Sequence, residues 1–134
     1  MREMSPDNKY YIDKERKLEL MHFCRQYKKW KEALASVDLW PKTVVDQDRV
    51  DHGGYVSDPT ARAAAVRRFY SDRITLIEES AFAADKTIAC FLIKGATEDV
   101  NYDNLRLMHN IPCGKETYYK ALQKFYWILD QRRK

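Results

Sequence analysis

Asn101-Tyr-Asp-Asn-Leu-Arg-Leu-Met-His109, then Asn110-Ile-Pro-Cys-Gly114, then the run from Lys115 to Arg133: these three consecutive pieces decide how the chain is read. The first is a short helix that Asn101 can cap, with Tyr102, Leu105 and Met108 recurring at steps of three on its inward side. The second has room only for a tight turn, with Ile111 as its one inward apolar residue. The third predicts a long helix in which Tyr118, Ala121, Leu122, Phe125, Ile128 and Leu129 form the buried stripe. Glu116 stands near that helix's positive end. Lys115, Thr117, Tyr119, Lys120, Gln123 and Lys124 face outward, mostly from the first three turns. Short helix, tight turn and longer helix with a basic leading half is a helix-turn-helix pattern. Two packed helices carrying solvated lysines give the same pattern, and the residues alone leave that alternative open.

Charge points to the same region. Residues 1–100 carry 17 Lys and Arg against 17 Asp and Glu, whereas residues 101–134 carry seven against three, so the net +4 lies wholly in the last quarter. Such asymmetry suits a module that meets a polyanion. It equally suits a solvated helix whose cationic C-terminus complements the helix dipole.

Upstream, Gly and Pro occur only as punctuation, leaving long stretches free of helix breakers, and an all-α fold is expected. Asp13 caps a predicted helix from Lys14 to about Ala35, with Leu20, Phe23, Cys24, Tyr27, Trp30 and Leu34 on one side. Residues 36–58 read as an acidic linker holding Trp40, with a weak hairpin signal at Val50–Val56. Asp58-Pro59 starts a helix reaching about Ala84, striped by Ala63, Val66, Tyr70, Ile74, Ile77, Ala81 and Ala84. The stripe can pack on the first helix or pair with a second copy of the chain as a homodimer. A short helix from Lys86 to Lys94, capped by Asp85, apolar all round and stopped by Gly95, is expected to be buried. The organisation is thus an N-terminal helix (1–35), a linker (36–58), a central long helix plus short buried helix (59–95) and a helix-turn-helix (96–134).

A resemblance enters at Asn110-Ile-Pro-Cys-Gly-Lys-Glu-Thr-Tyr-Tyr119 and Lys124-Phe-Tyr-Trp-Ile-Leu129. These residues look like the C-terminal helix-turn-helix of small phage and prophage proteins from Gram-positive bacteria. Leu18-Glu-Leu-Met-His-Phe-Cys-Arg-Gln-Tyr-Lys-Lys-Trp30 and Ser57-Asp-Pro-Thr-Ala-Arg62 are similar to the same group. The nearest named set is the ArpU/RinA-like regulators of phage late genes, whose C-terminal part resembles region 4 of sigma factors. The resemblance implies sequence-specific binding of double-stranded DNA and control of transcription. This chain departs from the usual pattern at Pro112, where many such turns keep an early glycine, and at Tyr102, where sigma-like relatives often carry tryptophan.

Other chemistry is weakly signalled. The longest apolar run, Ile88–Ile93, is six residues, far short of the ~20 needed to span a bilayer. The start Met1-Arg-Glu-Met-Ser-Pro-Asp has no apolar core of a secretion signal, so a cytoplasmic protein is expected. Three scattered cysteines, Cys24, Cys90 and Cys113, suit a reducing compartment. His22 with Cys24 and His109 with Cys113 lack finger-like spacing, so no metal is expected. Cys113 stands near a predicted helix N-terminus, a setting that lowers a thiol's pKa, but no partner base is evident. The acids Glu78-Glu79 and Asp46, Asp48 and Asp51 fit neither an acid pair nor a calcium loop. No phosphate loop or hydrolase elbow occurs, and neither enzymatic activity nor a cofactor is expected.

The expected function is therefore DNA-binding transcriptional regulation through the last helix. Lys115, Thr117, Tyr119, Lys120, Gln123 and Lys124 are the candidate contacts, with Arg132, Arg133 and Lys134 adding attraction to phosphate. Trp127, near the same face, is expected to pack on a neighbouring helix rather than stack on bases. The rival expectation is a small protein that grips a host protein, such as RNA polymerase or a defence nuclease, through linker 36–58.

Overall fold

The computed structural model describes residues 7–39 and 59–133, and among these the regular structure is entirely helical. The order is α1 (Lys14–Arg25), α2 (Tyr27–Val37), α3 (Pro59–Ala84), α4 (Ala89–Glu98), α5 (Tyr102–His109) and α6 (Lys115–Arg132). None of these helices is long and apolar enough to cross a membrane. The expected linker signals at Trp40 and Val50–Val56, and the terminal Lys134, lie outside the described residues.

The first helix starts as expected: the Asp13 carboxylate accepts the Glu15 N–H at 3.2 Å. It then divides into α1 and α2 at Gln26, where one continuous helix was expected. The Gln26 N–H turns to the Phe23 carbonyl at 3.2 Å, and its side-chain amide donates to the His22 carbonyl at 3.3 Å. The side chain thus takes over a carbonyl that the broken ladder leaves unpaired. The apolar stripe survives the bend, because Leu20, Phe23, Cys24, Tyr27 and Trp30 are all buried. The second segment extends past Ala35 to Val37, which is also buried.

Pro59 and Ala84 bound α3 as the sequence predicts. Ile74, Ile77 and Ala81 of its stripe are buried, and Tyr70 and Ala84 are half-buried beside them. α3 lies between α2 and α6 and also packs on α4. The Tyr27 hydroxyl ties α2 to α3 by donating to Glu78 Oε2 at 2.5 Å. Arg67 reaches Asp38 at 2.8 Å nearby, an exposed pair that contributes little.

α4 corrects the expectation twice. Asp85 does not cap it: Asp85 Oδ1 accepts the Thr87 N–H at 2.9 Å in a local turn, and the helix begins at Ala89. Gly95 does not stop it, because the helix runs through to Glu98 and ends with Asp99 in the left-handed region at φ 55°. The glycine answers a packing need instead. A Cβ there would lie 2.0 Å from the Tyr118 hydroxyl and 3.2 Å from the Val100 carbonyl oxygen. α4 is also buried on one side only: Ala89, Leu92 and Ala96 point inward, whereas Cys90 is exposed and Phe91 and Ile93 are half-buried.

The core that joins these elements includes Leu20, Ile77, Leu92, Leu105, Phe125 and Leu129, each fully buried. Each contributes about 1.5–3 kcal/mol by leaving water. The last helix packs on α1, α3 and α4 rather than standing apart as a detachable head.

Candidate nucleic-acid interface

The segment from α5 to α6 is built as the sequence predicts at its joints. The Asn101 side chain caps α5 by accepting the Asn104 N–H at 3.0 Å. Asn110 closes it in the left-handed region, at φ 55°, a conformation asparagine tolerates better than most residues. Ile111 is buried in the turn. Gly114 then precedes α6 in extended backbone, its carbonyl accepting the Tyr118 N–H at 3.0 Å.

Two tyrosines brace the turn. The Tyr102 hydroxyl donates to the Cys113 carbonyl at 2.7 Å, tying the start of α5 to the start of α6. The Tyr119 hydroxyl accepts the Tyr102 N–H at 3.4 Å, and its ring meets that of Tyr118 edge-on at 5.1 Å. On the inward side of α5 Tyr102 and Leu105 are buried as expected, but Met108 is 75% exposed. α5 is only two turns long, and the inward positions end at Leu105. Leu107 beside Met108 is 74% exposed.

The candidate contacts separate into three groups. Lys115, Thr117 and Lys120 are exposed on the first turns of α6, with Gln123 and Lys124 half-buried behind them. Lys120 pairs with Glu116 at 3.2 Å, an exposed contact one helical turn apart that solvent and salt weaken. Tyr119 is half-buried in the brace just described.

Arg132 and Arg133 form the third group, and both are engaged within the chain. Arg132 lies 3.6 Å from Glu79 of α3. Arg133 pairs with Glu19 of α1 at 3.0 Å and stacks its guanidinium 4.2 Å from the Phe23 ring centre. Asp130 completes this clamp by accepting from Arg16 Nε at 2.6 Å, largely out of solvent. The acidic partners sit more than fifty residues upstream, so counting charge along the last quarter could not reveal them. Trp127 likewise packs within the chain, against the core and edge-on to Tyr10 of the segment before α1 at 5.5 Å. Tyr126, which the sequence reading left off the stripe, is buried beside Phe125.

The Cys113 thiol behaves opposite to the expectation from its helix N-terminus. Partial burial and the carboxylate of Asp85 push its pKa up, not down. Burial pushes Cys24 up to about 12, which makes it inert at neutral pH. Its neighbour His22 faces solvent, so this pair does not converge. Among the described residues no three His, Cys, Asp or Glu side chains gather where they could hold a metal ion.

What the arrangement offers chemically is a rigidly seated helix end that presents ammonium, hydroxyl and amide groups outward from a braced turn. No family model, curated protein or solved structure matches this chain.

Proposed function

We propose that the chain binds double-stranded DNA sequence-specifically through the N-terminal half of α6 and acts as a transcriptional regulator of the phage late-gene kind. One observation carries the reading. The candidate residues Lys115, Thr117 and Lys120 all stay on the outer surface of a helix whose opposite side, through Tyr118, Ala121 and Phe125, is locked into the core. A helix held this way enters a major groove without reordering, which limits the entropy lost on binding. Lys115, Lys120 and Lys124 then meet phosphates, while Thr117 and Gln123 reach base edges. Arg132 and Arg133 add less attraction to phosphate, since each already faces a carboxylate of the chain, Glu79 at 3.6 Å and Glu19 at 3.0 Å.

The test is fluorescence anisotropy with promoter DNA pooled from a Gram-positive prophage and with a scrambled duplex, at low and physiological salt. Preference for the promoter pool that survives the added salt is the expected result. Weak binding to both duplexes that vanishes with salt would reduce the basic face to general electrostatics and sink the proposal.

A second reading, a module that grips a host protein, draws on Leu107 and Met108. Two adjacent large apolar side chains about three-quarters exposed at the end of α5 suit the core of a small protein interface. Replacing both with glutamine leaves DNA affinity unchanged under the first reading. Under the second it abolishes retention of RNA polymerase or another host protein by the immobilised chain.

A further inference from the structure

A cleft of about 400 Å³ opens between α2 and α4, on residues that the DNA-binding proposal does not use. Its volume falls in the range of small-ligand sites, about 300–1,000 Å³. Its lining is unusual in its charge. Lys28 and Lys31 come from successive turns of α2 and Lys94 from α4, against one carboxylate, that of Glu98. Three ammonium groups less one carboxylate leave two positive charges around one recess. The Glu98 carboxylate sits 3.2 Å from Lys94, both partly exposed, so this pair is loose enough to yield to a stronger anion.

The remaining lining is not cationic. Ile93 gives an apolar wall and the Tyr27 ring another, with Lys31 Nζ held 5.2 Å from that ring's centre. The Tyr27 hydroxyl is already committed, donating to Glu78 of α3. A recess with a doubly positive rim and an apolar wall matches a ligand with a dianionic head and a compact organic body. A phosphate monoester carries about −1.5 to −2 at neutral pH. Its oxygens accept from several ammonium donors at once, which a single carboxylate does less well.

We propose that the cleft between α2 and α4 binds a small phosphorylated organic molecule, its phosphate held by Lys28, Lys31 and Lys94. The site stands whether or not α6 binds DNA, since none of its lining residues belongs to α5 or α6.

Cys90 makes the proposal measurable, because this exposed cysteine lines the same cleft. The experiment follows alkylation of Cys90 in the full chain by N-ethylmaleimide, read by peptide mass spectrometry. The probes are AMP, glucose 6-phosphate and inorganic phosphate, with potassium chloride matching the ionic strength. The expected result is saturable protection by at least one monoester. Lys28→Gln or Lys94→Gln should weaken it about tenfold, the loss of one charge-assisted hydrogen bond. Both lysines are on the surface, and far-UV circular dichroism confirms that each variant is folded. Three outcomes would overturn the proposal. They are absence of protection by either monoester, protection unchanged in both lysine variants, and protection by inorganic phosphate equal to that by the monoesters.

Discussion

The two halves of α6 carry similar basic residues and put them to opposite uses. In the C-terminal half Arg132 and Arg133 find carboxylates on α3 and α1, and Asp130 receives Arg16 from the other side. In the N-terminal half Lys115 and Lys124 form no ion pair with a described residue, and Lys120 meets only its own helix neighbour, Glu116. The difference lies in what stands opposite. Where α1 and α3 bring acidic side chains alongside, a cation becomes a clamp. Where α6 passes over α4, no described element packs on its outer face, and Lys115 and Lys120 are exposed. One end of the helix is tied by charge within the chain, and the other presents its cations outward.

The contrast depends on the N-terminal half being as firmly seated as the clamped half, and Gly95 is where that is easiest to break. Its missing Cβ makes room for the fully buried Tyr118, whose hydroxyl would otherwise be 2.0 Å away. Gly95→Ala gains up to about 1 kcal/mol of helix propensity. Against this it forces Tyr118 to shift, an overpacking that costs about 1–3 kcal/mol or more. We expect a net loss of stability in urea unfolding, with DNA binding lost alongside. The double variant Gly95→Ala/Tyr118→Phe, which removes the obstructing oxygen, should recover most of that loss. If Gly95→Ala alone is stabilising, α6 is not seated through Tyr118.

A pair of substitutions separates the halves by readout. Asp130→Ala removes the partner of Arg16 and should cost about 1–2 kcal/mol of stability, as for a partly buried charged hydrogen bond, while leaving DNA affinity intact. Lys120→Ala should do the reverse. Its loss leaves the denaturation midpoint in place, lowers affinity for every duplex alike and flattens the salt slope by about 0.9. Gln123→Ala on the same half should instead relax preference at one base position, by about 1–3 kcal/mol. Were Asp130→Ala to weaken DNA binding as much as Lys120→Ala does, the division between clamp and contact would be wrong.

Local rules carried much of this architecture into the sequence. The Asn101 cap, the inward Ile111 and the limits of α3 follow from capping, turn and periodicity signals that act over a few residues. What stayed hidden depends on distant partners. Gly95 reads as a stop because glycine usually ends helices, and only the approach of Tyr118 explains why it lies inside one. The break in the first helix at Gln26, where its side-chain amide donates to the His22 carbonyl, is a feature that periodicity does not register. The exposure of Lys115, Thr117 and Lys120 was legible because it follows from the apolar stripe of their helix. The intrachain contacts of Tyr119, Arg132 and Arg133 were not, since their partners Tyr102, Glu79 and Glu19 come from other helices.

The smaller effects sharpen the comparison at the tip of α6. Glu116 is 83% exposed, next to the proposed phosphate contacts, and it engages Lys120. Glu116→Gln removes a negative charge that DNA must approach, and affinity should rise about threefold at low salt and less at physiological salt. It also gives up a favourable charge near the helix's positive end, so stability should fall by about 0.3–1 kcal/mol. An unchanged affinity would place the duplex away from this turn.

Gly114, the residue just before α6, offers the finest adjustment. A Cβ there meets nothing within 4 Å, and its backbone is already extended at φ −78° and ψ 167°. Unlike Gly95, it serves no close approach, and α6 begins without a side-chain cap. Gly114→Ser supplies a hydroxyl to accept an N–H of the first turn, for a gain of a few tenths of a kcal/mol. Because it adds no charge, it should raise the denaturation midpoint slightly while leaving DNA affinity and its salt dependence unchanged. A drop in affinity would instead mean that the duplex comes close to Gly114 itself, which would move the contact from the face of α6 to the turn that precedes it.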